Sequence, residues 1–64
     1  MNSNFVAALR AKLREDMNTY ADDMAGGACK SFEEYQKCCG VIQGLAFAER
    51  HLLDLANALE IDDE

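Results

Sequence analysis

The chain has 64 residues, half of them hydrophobic, no proline, and twelve acidic against six basic side chains, for a net charge of −6. That length admits one domain, spanning 1–64, whose core needs disulfides, a metal or other subunits to support it. The apolar content excludes a disordered chain, and the acidic balance opposes nucleic-acid phosphates and anionic membranes.

The first element is predicted over about residues 4–25. Asn2, Ser3 or Asn4 supplies a side-chain oxygen that can cap its first amides. Val6, Leu9, Leu13, Met17, Tyr20 and Met24 then recur in steps of three and four, which is one face of an amphipathic helix. Arg10, Lys12 and Arg14 cluster in its first half and Glu15, Asp16, Asp22 and Asp23 in its second. Three cations without interleaved aromatic rings are too few for a nucleic-acid stripe, so they read as a solvated face or as a rim contact to an acidic partner.

Gly26 and Gly27 end this helix, because glycine reaches the left-handed backbone at little steric cost. The run "SFEE" starts the next: Ser31 as N-cap and Glu34 three residues on form a capping box, with Glu33 placing negative charge at the positive helix end. The second helix is expected over about 32–60, roughly 43 Å long against about 30 Å for the first. Its inward rows are Tyr35, Ile42, Glu49 and Ala56, and Cys38, Leu45, Leu52 and Leu59, widened by Cys39, Ala46 and Leu53 on one flank and Val41, Ala48 and Leu55 on the other. The fold class is therefore all-α, an antiparallel helical hairpin with a short and a long arm.

Folding the arms about "GGACK" sets Leu45 against Leu9 to Leu13, Tyr35 against Tyr20 or Ala21, and Glu49 near Val6 and Arg10. A lone buried carboxylate is costly, so Glu49 is expected either to pair with Arg10, Arg50 or His51 or to lie at the edge of the core, and the hairpin register favours an ion pair with Arg10. Beyond Leu52 the shorter arm has run out. Leu53, Leu55, Ala56, Leu59 and Ile61 are then expected to lack intramolecular cover and to form a contact surface.

Gly40 and Gly44, each costing about 1 kcal/mol in a helix interior relative to alanine, form with Ala48 a small-residue row. Two readings explain the row. A bulky side chain of the first helix, such as Leu13, seats over Gly44 within the hairpin, or another subunit's helix crosses closely there. Gly40, Gly44, Ala48, Leu52, Leu53, Leu55 and Leu59 are the candidate packing and interface residues, and a symmetric dimer forming a four-helix bundle is the simplest assembly that covers them.

No catalytic or cofactor site is expected. Glu49 has no second carboxylate within a turn to share acid and base roles, "AGGACKS" lacks the strand and spacing of a phosphate loop, and no four ligands converge on a metal, since Cys38 and Cys39 diverge by about 100° and His51 lies more than three turns away. Three cysteines do not suit a secreted disulfide framework and point to a reducing, cytosolic setting. Cys38 and Cys39 read as structural thiols, and Cys29, near the positive end of the second helix, as the more reactive one. Neither a secretory core nor an apolar run approaching the ~18 residues of a membrane span is visible.

The stretch "SFEEYQKCCGVIQGLAFAERHLLDL", through Phe32, Tyr35, Gly40, Ile42, Gly44, Leu45, Ala48 and Leu52, resembles small helical proteins encoded among the structural genes of tailed bacteriophages. The resemblance implies a non-enzymatic virion-associated or assembly accessory that binds copies of itself or a larger phage or host protein. It places the chain in the host cytoplasm or the virion. The alternative is a small acidic inhibitor or adaptor, using Asp22, Asp23, Asp62, Asp63 and Glu64 to block a basic site on a host protein.

Overall fold

The structure is a computed structural model that describes residues 3–59; Asn2, the side chain of Ser3, Glu60, Ile61 and the acidic tail lie outside them. Two helices, α1 (Ser3–Ala25) and α2 (Phe32–Ala58), pack side by side as an antiparallel hairpin. The particle measures 44 × 16 × 12 Å. Its radius of gyration of 14.5 Å exceeds the roughly 11 Å of a compact chain of this length. The hairpin is a rod.

Both helix ends at the turn are set by local chemistry. Gly27, at φ 85°, is the left-handed residue that ends α1, and the amides of Gly27 and Ala28 donate to the carbonyls of Met24 (3.2 Å) and Asp23 (2.9 Å). This is the paired bonding of a Schellman cap, which satisfies carbonyls the helix would otherwise leave open. Ser31, in extended backbone, accepts the Glu34 amide at 3.1 Å and so caps α2. The reciprocal half of the capping box is displaced by one residue: the Glu34 carboxylate accepts the amide of Lys30, at 2.7 Å. Helix α2 closes at Leu59, whose amide donates to the carbonyl of Leu55 at 2.9 Å.

The arms are less unequal than the sequence pattern implies. With 23 and 27 residues they run about 35 and 40 Å. The register also differs, because Tyr20 shares a cavity with Cys38 and Val41 and Glu49 sits between Arg10 and Arg14. Both observations shift the pairing about one helical turn toward the connection. As a result Leu53 and Ala56, expected to be uncovered, are half-buried, as is Leu52.

The core is thin. Among the described residues only Met17 (9% exposed) and Glu49 (7%) are buried, and no side chain is completely enclosed. Val6, Leu13 and Met24 of α1 and Cys38, Ile42, Leu45, Leu52 and Ala56 of α2 form a half-buried seam around them. The periodic rows are realised in the middle of the hairpin and open toward its ends, where Tyr35 and Leu59 are exposed.

Candidate functional site

Glu49 occupies an inward position of α2, where its carboxylate would be costly unless compensated. Two cations from successive turns of α1 reach it. Arg14 donates twice, Nε to Oε2 at 2.6 Å and Nη2 to Oε1 at 2.9 Å, and Arg10 Nε donates to Oε2 at 3.2 Å. The pairing of Arg10 with Glu49 is thus present in the structure, but Arg14, read from sequence as part of a solvated face, makes the shorter, two-pronged contact. Spacing offered a signal for it: residues 10 and 14 stand one turn apart, so a carboxylate facing one is within reach of both. The two guanidinium groups lie half exposed and close over a nearly enclosed acid.

The hydrogen bond from Arg14 is the main reason that the Glu49 carboxyl lies below its ordinary value of 4.5, outweighing burial, which pushes it the other way; Arg10 adds to the lowering. A carboxylate held in this form has no proton to donate near neutral pH, and its role is that of a clamp between helices. Depression of the folded-state pKa means that the clamp stabilises fully above about pH 4.5 and loses its contribution as pH falls through the lower folded-state value. Urea midpoints of the parent and Glu49→Gln, compared from pH 7 to pH 3, are therefore expected to be furthest apart at neutral pH and to converge in acid. Parallel curves over that range would remove the clamp's charge from the account.

Gly40 and Gly44 do not receive a side chain of α1. Both are exposed, and a Cβ added at either would meet no atom within 4 Å. Seating of Leu13 over Gly44 is thereby corrected: the inward seam runs through Leu45 and Glu49, leaving the glycine row on the flank of α2 beside the exposed Ala48.

That flank lies on a side of the hairpin where exposed apolar residues stand among charged ones such as Asp23 and Lys37. Tyr20 and Val41 line one cavity and so mark the same side of the hairpin. On α1, Leu9 lies three turns before Tyr20 on the same row; on α2, Ala48 and Leu55 follow Val41 at heptad intervals, with Leu59 one turn further. Leu55 and Leu59 are 61% and 67% exposed, and Leu9 and Tyr20 are also open. Of the other exposed large apolar side chains, Phe5 lies in the first turn of α1, Phe47 projects from the far side of α2, and Phe32 stacks on Tyr35 with ring centroids 6.4 Å apart at the turn end.

The cysteines gather at the turn. Cys29 and Cys38 bring their sulfurs to 3.8 Å, and Tyr35 shares a hydrogen bond with Cys39 that raises the phenol above its ordinary range. Cys29 was expected to be activated by the nearby helix end; instead its thiol is pushed up from 9.0, first by burial, then by its hydrogen bond and charge coupling to Cys38, with Glu34 adding to the effect. Among the described residues no group of three or more His, Cys, Asp or Glu could hold a metal ion, and no helix is long and apolar enough to cross a membrane.

Comparison with known proteins returned no match among family models, curated proteins or solved structures.

Proposed function

We propose that the chain is a non-enzymatic protein–protein interaction module that associates through the side of the hairpin bearing Leu9, Tyr20, Leu55 and Leu59, with Gly44 and Ala48 between them. The observation that carries this reading is that four exposed large apolar side chains, Leu9, Tyr20, Leu55 and Leu59, share one side of a fold whose described residues fully enclose none. A second copy is the occupant that the surface area favours. The chain exposes 5006 Å², whereas a compact monomer of 7.1 kDa exposes about 4,100 Å². The excess, roughly 900 Å², is close to the ~800 Å² that each partner contributes to a stable interface of ordinary size. Two hairpins apposed through this side make a four-helix bundle.

Docking on a phage virion or an assembly intermediate is a further proposal, which rests only on the sequence pattern of residues 31–55. Sedimentation equilibrium at low micromolar concentration, in low and high salt, tests the core of it. A dimer that persists in high salt is expected, because apolar burial is not screened. A monomer at every concentration overturns self-association. Capture of a basic partner that is released by salt would favour the acidic-adaptor reading instead.

Substitutions at Gly44 separate folding from association. Gly44→Ala is expected to stabilise the hairpin by up to about 1 kcal/mol, since it removes the glycine penalty and meets open space. Gly44→Leu is expected to keep the helical signal and weaken the dimer by blocking backbone approach. A Gly44→Leu chain that dimerises as tightly as the parent would place the interface elsewhere.

A further inference from the structure

Two half-buried thiols face each other where the helices join. Cys29 stands in the connection, outside both helices, and Cys38 lies in the second turn of α2; both are free, and their sulfurs are 3.8 Å apart. They border a cavity of about 330 Å³ that opens between the helices, with Tyr20 and Asp23 of α1 and Glu34 and Lys37 of α2 around it. Small solutes can reach the sulfurs there.

We propose that Cys29 and Cys38 form a modification site, a dithiol that exchanges with a low-molecular-weight disulfide and closes an intramolecular Cys29–Cys38 bond, tying the connection to α2. One protein thiolate attacks the small disulfide, breaking its S–S bond and expelling one thiolate, which takes up a proton. The second protein thiolate then attacks the protein sulfur of the mixed disulfide and expels the other small thiol. Two protein S–H bonds are lost, one S–S bond is formed, and the small disulfide is reduced to two thiols.

The geometry favours this pair over the alternatives. Closure to a bond of about 2 Å moves the sulfurs by less than 2 Å in total, and Cys29 can move without breaking a helix. Cys39 projects about 100° away from Cys38 on the helix and is engaged with Tyr35. The ring encloses the Ser31 cap and the first turns of α2, so closure restrains the segment that sets the hairpin's reversal. Cys29 is held protonated by burial and by Cys38, with Asp23 and Tyr20 on α1 and Glu34, Lys37 and Cys39 on α2 around it, so exchange accelerates as pH rises toward and past 9.0.

The test is incubation of the full chain with oxidised glutathione, alkylation of remaining thiols and peptide mapping by mass. The expected product has lost two hydrogens, carries the Cys29–Cys38 ring and keeps one alkylated cysteine, Cys39. The equilibrium constant for ring closure against glutathione is expected to fall about tenfold or more in strong urea, because only the folded chain holds the sulfurs together. Cys39→Ser closes the same ring, and Cys38→Ser stops at a glutathione mixed disulfide on Cys29. A ring through Cys39, mixed disulfides that persist in the parent, or equal closure constants in folded and unfolded chains would each overturn the assignment.

Discussion

Arg14→Glu is expected to unfold the hairpin at neutral pH. The substitution removes both short donors to Glu49 and puts a second carboxylate where they stood, against a residue that is 7% exposed. Arg10, at 3.2 Å, cannot neutralise two acids. A chain of this length has only about 3–10 kcal/mol of total stability, and an uncompensated charge at its most enclosed polar position is among the few changes able to consume most of that. Circular dichroism should report loss of most of the helical signal in buffer. Arg14→Ala should retain the fold with a lower urea midpoint, and the exchanged pair Arg14→Glu with Glu49→Arg should recover part of the loss. Retention of the parental midpoint by Arg14→Glu would mean that the clamp does not hold the helices together.

The second large effect is expected at Met17. It is the one apolar side chain among the described residues that is buried, and it lies one turn from Arg14, so the apolar centre and the clamp are adjacent. Met17→Ala should cost about 2–3 kcal/mol, which brings a fold this small near its threshold. Met17→Leu, which keeps the volume, should cost less than about 1.5 kcal/mol, whereas Phe47→Ala, at an exposed position, should change stability by no more than about 0.5 kcal/mol. Urea titration of the three variants provides the ranking. Equal midpoints for Met17→Ala and Phe47→Ala would show that the hairpin has no centre at Met17.

These two positions also mark how far the sequence could be read. The periodic rows, the glycine pair and Ser31 were sufficient to give both helices and their antiparallel arrangement, because those signals are local and depend on a single helix at a time. The acid in the apolar row pointed to a cationic partner, with Arg10 on α1 and Arg50 and His51 on α2 as candidates, and the approximate register selected Arg10. Arg14 did not follow, because a register counted from the middle of the connection lies about one turn from the observed one, in which Glu49 sits between Arg10 and Arg14. Leu13 was the wrong neighbour to place over Gly44, which faces open space, because a helical wheel does not say which neighbour, if any, stands in front of a small residue. Cys29 sits where no periodicity operates, so its approach to Cys38 had no sequence signature.

The two inter-element links differ in how much chain they enclose. The sulfurs of Cys29 and Cys38 are nine residues apart, whereas the clamp joins Arg14 and Arg10 to Glu49 across 35 and 39 residues. A nested arrangement of this kind predicts an order of assembly: contacts beside the bend require the least loop closure and are expected to form before the guanidinium clamp, which lies within both arms rather than at their ends.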